Sequence, residues 1–323
     1  MGLTDPYHVL HEIESNLEVI LLLVFMVSAI FFMKNLLMVI FTKLLQRVKS
    51  KILLSLLFVI SAAFLSAFLD ALTVTAVLIT VMVGFYHTFE RSFKNNEINK
   101  NEFEQVKSFL TDIMMHGAVG TALGGVCTIV GEPQNLLIAD KAGWEFMEFF
   151  YKMAPVTMPV LLAGLICCVL IEKFKVFSYG HQMTDELRSK IIVNAEKVDA
   201  ERTDMEKLHL VFEAMLGLCL IFALGLHLAP VGIIGLFLMV FLTAFKGITE
   251  EHQLGGAFKE SLPFTSLLVI FFVVVAVIND QSLFTPVINL VLASSVDMQV
   301  PLFYLANGAC LLYTSDAADE CSG

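Results

Sequence analysis

The chain alternates between long apolar runs and short charged segments. Residues 17–33 form an apolar run at the short limit for crossing a bilayer. Residues 35–50 differ. Thr42, Lys43, Gln46, Arg47, Lys49 and Ser50 recur at helical spacing and face away from Leu37, Val39, Ile40, Phe41, Leu44, Leu45 and Val48. That pattern predicts an amphipathic helix lying along the membrane surface. Residues 52–86 are apolar for 35 positions, interrupted by Asp70. One straight helix of that length would measure about 52 Å, well beyond a ~30 Å hydrocarbon core. The run is therefore expected to fold back, as two spans or as a re-entrant hairpin.

Residues 87–107 read as a charged loop. Residues 109–139 are mostly apolar but are cut by Gly131-Glu-Pro-Gln-Asn135, and residues 155–171 form a further span. A long charged loop, 172–208, precedes two closely joined spans at 210–228 and 231–245. Apolar segments at 263–278 and 283–292 follow, separated by Asn279-Asp280-Gln281-Ser282. The expected organisation is a first transport repeat over 1–172, a cytoplasmic loop over 173–208 and the start of a second repeat over 209–308. A weak internal similarity supports two halves: residues 22–29 with Lys34-Asn35 match residues 269–276 with Gln281-Ser282 at an offset of 247 positions. Residues 309–323 carry no apolar continuation and are expected to be an artefactual tail.

Composition narrows the class. Hydrophobic residues make up 57% and charged ones 16%, against roughly 25% charged in soluble domains. Mean hydropathy is +0.80. These values exclude a disordered chain and point to an all-α, polytopic helical membrane protein. The net charge of −11 speaks against nucleic acid as a partner and leaves the lipid bilayer as the surroundings. The bases set the orientation: with 35–51, 87–107, 172–208 and 246–262 all cytoplasmic, 17 of the 20 Lys and Arg lie inside. The six cysteines show no CxxC or zinc spacing, so no metal knuckle, disulfide framework or cofactor is indicated.

Two places carry chemistry. Asp70, in Phe68-Leu-Asp-Ala-Leu-Thr-Val74, has 18 apolar residues before it and 16 after, which puts it at the fold-back tip. A carboxylate at membrane depth costs about 2.5–3.5 kcal/mol on insertion scales and usually handles ions or protons. An acid snorkelling at a boundary is the plain alternative. Thr73 and Thr75 could add hydroxyl oxygens. The second place is Gly131–Asn135. Pro removes an amide donor and Gly permits unusual backbone angles, so a break here would free carbonyls beside Thr128, Gln134 and Asn135. A simple loop with a solvated Glu132 is the alternative. Gly120-x-x-x-Gly124 reads as close helix packing. His116 and Asp280 are candidates for proton relay, or a structural histidine and a capping acid.

These motifs resemble the bacterial NhaB-type sodium/proton antiporters. The residues that carry the resemblance are Phe68–Val74, Met115-His116, Gly120–Val126, Val130–Asn135, Pro155-Val-Thr-Met-Pro159, Glu260-Ser-Leu-Pro-Phe264 and Phe303-Tyr304. It runs from about Asn16 to Gly308. It implies membership of a wider group that includes arsenite and dicarboxylate carriers, built from two inverted repeats, each with a re-entrant hairpin and a broken helix. On that basis 52–86 is the first hairpin and 128–135 the first broken helix. Family members are longer at both ends, so the chain is expected to be truncated, with the second repeat incomplete and without transport activity as a fragment.

The resemblance implies a multi-pass sodium/proton antiporter of the bacterial inner membrane, not an enzyme, exchanging Na⁺ (or Li⁺) for H⁺. Asp70 would bind Na⁺ or a proton, with Thr73, Thr128, Glu132, Gln134 and Asn135 supplying or orienting oxygens. An anion carrier of the same group is disfavoured because no Lys or Arg is expected at membrane depth. A membrane-embedded enzyme or complex subunit lacks a ligand cluster or nucleophile. Assembly into a homo-oligomer stays open.

Overall fold

The computed structural model describes residues 4–17, 20, 24–25, 28–29, 33–69, 71–96, 98–177, 179–184, 186–189, 192–193, 200–248, 250–283, 285–293, 298 and 301–302. Most of the expected span at 17–33, Asp70 itself, Phe303-Tyr304 and the expected tail at 309–323 lie outside these residues. The described residues are helical, with no strand. The principal helices are α1 (Pro6–Ser15), α2 (Lys34–Arg47), α3 (Lys51–Leu69), α4 (Ala71–Lys94), α5 (Lys100–Gly125) and α6 (Pro133–Ala142). They continue with α7 (Phe146–Phe174), α8 (Asp204–Gly225), α9 (Val231–Phe245), α10 (Glu251–Asp280) and α11 (Thr285–Ala293). Contacts divide the chain into a large unit, residues 17–268, and a small one, residues 1–16 with 269–323.

Among the described residues, four helices are long and apolar enough to cross a membrane: α3, α4, α7 and α8. Their environments differ. In the apolar window of α3, 50% is buried, but only 11% of that of α7 and 17% of that of α8. Val156, Val160, Leu162, Ile166 and Leu170 on α7, and Val211, Met215, Leu218 and Phe222 on α8, are exposed apolar surface of the kind a lipid bilayer accommodates. The protein is a polytopic helical membrane protein.

Several polar segments that read as loops are helical. The 87–107 loop contracts to residues 95–99, because α4 runs on to Lys94 and α5 begins at Lys100. A capping box explains the start: Asn99 accepts the Glu102 amide at 2.9 Å, and Glu102 accepts the Asn99 amide at 2.8 Å. Thr203 and Glu206 form the same device before α8. Of the 246–262 loop, residues 251–262 belong to α10.

The large unit is organised around α5. Lys51 meets Asp112, an added Cβ on Gly120 or Gly124 would strike the Val59 or Ala63 backbone, and Thr128 reaches the Ala67 carbonyl. The first and last of these pairs are each 61 residues apart, and so are the others, so α3 and α5 run parallel in constant register. On α4 the order reverses. Leu78 lies beside Gly117, Thr75 beside Thr121, and Ala71 beside Gly125. Hence α4 is antiparallel to α5 and to α3, and the chain folds back between Leu69 and Ala71. Helix α7 is antiparallel to α5 as well, with Glu172 at His116 and Gly164 at Leu123. One end of this bundle therefore holds Lys51, Asp112, Glu172 and the 95–99 connection. The other holds the fold-back tip.

Helix α2 docks on the bundle through Leu37, Phe41 and Leu45, all buried, with the Phe41 ring 5.4 Å from that of Phe58. Its C-terminal carbonyls at Leu45, Gln46, Val48 and Lys49 accept from the Arg188 guanidinium, a cation placed where the helix dipole favours one.

Candidate functional site

The tip is fastened on both sides of Asp70. Near the end of α3, the Ala67 carbonyl accepts the Thr128 hydroxyl. At the start of α4, the Ala71 amide donates to the Gly131 carbonyl at 3.0 Å. Both partners belong to residues 126–132, the non-helical stretch between α5 and α6. The break thus lies upstream of the expected Gly131–Asn135 cut. Pro133 opens α6, where its missing N–H costs nothing, and Gln134 and Asn135 belong to that helix. The Asn135 side-chain amide holds the break together by donating to the Gly125 carbonyl at 2.9 Å and the Thr128 carbonyl at 2.7 Å. Gly131 passes so near Gly125 that a Cβ would stand 2.2 Å from the Gly125 oxygen. Ser66 donates to the Thr121 carbonyl at 2.6 Å, and the Thr75 and Thr121 hydroxyls meet at 2.8 Å.

This arrangement is rich in oxygen. Each carbonyl here accepts a bond from the protein yet has a second lone pair. Asn135 and Thr128 are buried, and so is Thr73 on the first turn of α4. Glu132 is half-buried, with its Cγ 3.1 Å from where a Gly125 Cβ would stand. Gln134 is exposed. The structure so brings Thr128, Asn135 and the Glu132 stem to the break, and Thr73 to the helix beside it. Unwound carbonyls at the C-terminal end of a half-helix suit a hard alkali cation. Asp280 lies in the small unit, where it accepts from the Thr4 hydroxyl and pairs with the His8 ring at 3.1 Å. The Asp280 carboxylate raises the His8 pKa above its ordinary value.

The opposite end of the bundle holds a group of charges of which the sequence reading singled out only His116. Lys51 Nζ lies 3.3 Å from Asp112 Oδ2 and 3.5 Å from Glu172 Oε1. Glu172 Oε1 also accepts the Ser55 hydroxyl at 2.8 Å and contacts His116 Nε2 at 3.0 Å. Asp112 accepts the His181 amide at 3.2 Å and touches its Nδ1 at 3.1 Å. Lys51 further stacks on the Phe109 ring, 4.4 Å from its centroid. Asp112, His116, Gly120 and Gly124 are spaced by four, so one face of α5 carries both the charges and the packing glycines. That spacing was the available signal.

A second pair, the half-buried Lys246 Nζ with the buried Glu213 Oε1 at 2.6 Å, sits at the start of α2, where Glu213 accepts the Leu36 amide at 3.0 Å. Both bases lie at helix ends, Lys51 at the start of α3 and Lys246 just after α9, and carboxylates face both. Lys51→Ala would leave Asp112 and Glu172 buried without their cation, a change that costs about 3–5 kcal/mol. A clear fall in melting temperature of the purified protein in detergent is expected. An unchanged value would show that the pair is not buried as described.

The comparisons fit this geometry. The family profile described as "Bacterial Na+/H+ antiporter B (NhaB)" matches residues 1–319. Proteins named Na(+)/H(+) antiporter NhaB are similar along the chain. The one from Teredinibacter turnerae is 51% identical over 324 residues, covering 95% of this chain and 64% of its own length. The one from Yersinia enterocolitica is 52% identical over 321 residues, covering 95% and 61%. The one from Saccharophagus degradans is 52% identical over 323 residues, covering 95% and 65%. The chain therefore spans about three-fifths of the length of the curated relatives it matches. With similarity of this extent joined to the helical fold around a broken helix, the chain belongs to the NhaB family of bacterial Na⁺/H⁺ antiporters.

Proposed function

We propose that the protein exchanges Na⁺ for H⁺ across the bacterial inner membrane by alternating access, with Asp70 as the carboxylate shared by the two ions. The observation that carries this reading is the attachment of both flanks of Asp70, at Ala67 and Ala71, to the oxygen-rich break at 126–132. In general, desolvation of a carboxyl group favours the proton, while a bound cation favours the ionised form. Such a group therefore holds one or the other. Thr73, Thr128, Glu132, Gln134 and Asn135 supply or orient oxygens, and the names of the relatives support Na⁺ and H⁺ as the transported ions. Such exchange needs no covalent step and no cofactor.

The direct test is dequenching of a pH-sensitive dye in energised everted vesicles carrying the full-length protein. Na⁺ should dequench, whereas K⁺ and choline should not. Equal responses to all three would refute Na⁺/H⁺ exchange.

The orientation has its own test. The 95–99 connection, Lys51 and Glu172 share one end of the bundle, the end rich in bases, so 87–107 and 172–208 should face the cytoplasm. Single cysteines placed in each, in a background from which the native cysteines are removed, should resist an impermeant thiol reagent in whole cells. Ready labelling from outside would overturn the topology.

A further inference from the structure

The group of charges around Glu172 has no part in the exchange argued above, and its composition is unbalanced. Helix α3 contributes Lys51 and Ser55, α5 contributes Asp112 and His116, and α7 contributes Glu172 with the Cys168 thiol one turn before it. Tyr179 and His181 approach from the segment after α7. Side-chain exposure is 7% for Lys51, 7% for Asp112, 1% for Glu172 and 6% for His116. With both imidazoles neutral, one cation faces two carboxylates, an excess of one negative charge in a dry site. Among the described residues, Glu172 Oε2 has no hydrogen-bond partner although it is fully buried.

We infer that this cluster is a second proton-binding site, separate from the tip, in which His116 takes up one proton and so locks the end of α7 onto α3 and α5. A proton fits where an alkali cation does not. The Lys51 ammonium already lies 3.5 Å from Glu172 Oε1, and that oxygen also contacts Ser55 and His116. A single carboxylate oxygen without a partner is too few ligands for Na⁺. His116 is the group placed to accept the charge. It touches Glu172 directly, and imidazole is the side chain that changes charge between about pH 5 and 8. His181 is the competing acceptor, but it sits on Asp112 with 37% of its side chain exposed, where solvent screens its charge. The Tyr179 ring lies 4.9 Å from that of His116 and closes the site from the loop side. Burial, followed by the nearby Asp112 and Glu172 carboxylates, pushes the Tyr179 phenol up, so it stays neutral through this range.

The site lies about 18 Å along α3 from the tip, taking Ser55 to Ala67 as twelve helical residues. Both places share α3 and α5 as rigid elements. A protonated His116 balances the cluster and binds the three helix ends together. Loss of that proton restores the excess charge and loosens α7. The lock is therefore present while the proton is bound and lost when it leaves.

The test is thermal unfolding of the full chain in detergent from about pH 5 to about pH 8, the range in which histidine is the side chain that ordinarily changes charge. The wild-type melting temperature should fall across this range, and His116→Gln, which keeps a donor, should lose that dependence. Glu172→Gln removes the excess charge, so it should flatten the profile and melt higher than wild type at the alkaline end. It decides the matter if His116→Gln does not fold. His181→Gln should keep the wild-type profile. Retention of the wild-type slope in Glu172→Gln, or its loss in His181→Gln alone, would overturn the proposal. No Na⁺ movement is read, so failure here leaves the exchange reading untouched.

Discussion

Replacing Asp70 with Asn is expected to abolish Na⁺-driven proton movement in everted vesicles, down to the level of membranes without the protein. The amide keeps the size of the side chain but can neither lose a proton nor offer a charge to Na⁺. Asp70 is the acid that interrupts the 35-residue apolar run at 52–86. Its chain neighbours begin and end the two antiparallel helices α3 and α4. The backbone bonds at Ala67 and Ala71 do not depend on a charge at 70. Asp70→Asn should therefore insert and express like the wild type, since removing a charge from an apolar run gives no reason for it to melt lower. Near-normal exchange in a well-expressed Asp70→Asn protein would remove Asp70 from the mechanism.

Gly124→Val is expected to prevent the fold. A Cβ at Gly124 would stand 1.9 Å from the Ala63 carbonyl oxygen and 2.4 Å from its carbon, and backbone atoms cannot swing aside. Relief requires separating α3 from α5. In a bilayer, where lipid is as apolar as the helix faces, close van der Waals packing is what holds two such helices together. Overpacking a core commonly costs about 1–3 kcal/mol, and a clash against main chain belongs at or above that range. Aggregation or loss of a monodisperse peak in gel filtration is the expected result. Gly84→Ala on α4 is the matched control. It meets nothing within 4 Å, so it should leave the protein intact and gain about 0.5–1 kcal/mol from lower chain entropy. A stable Gly124→Val protein would contradict the parallel register of α3 and α5.

Length arithmetic carried much of the fold. A 35-residue apolar run cannot lie straight across a bilayer, and the structure divides it at Asp70 into helices that run in opposite directions. Gly120-x-x-x-Gly124 announced a close approach, and Val59 and Ala63 make it. What hydropathy obscured was the extent of the helices. Asn99 with Glu102, and Thr203 with Glu206, start helices within charged sequence, because capping acts on backbone donors regardless of hydropathy. The oxygen-rich break was visible as Gly and Pro punctuation, although Pro133 begins the next helix rather than ending the last one. The cluster of Lys51, Asp112 and Glu172 was hidden because its members come from three helices, each beside the charged flank of an apolar run. Read one at a time, they look like ordinary ends of spans. The constant register of α3 and α5, which brings Lys51 to Asp112, is a property of packing that no single segment displays.

The central claim is that Na⁺ and H⁺ compete for one carboxylate at the fold-back tip. Calorimetric titration of Na⁺ into the purified full-length protein, repeated in two buffers of different ionisation enthalpy, tests it most directly. Competition predicts that Na⁺ binding releases protons, so the apparent heat changes with the buffer near the pH at which Asp70 is protonated. The release should vanish in Asp70→Asn. Na⁺ binding whose heat is the same in both buffers across the whole pH range would contradict the account.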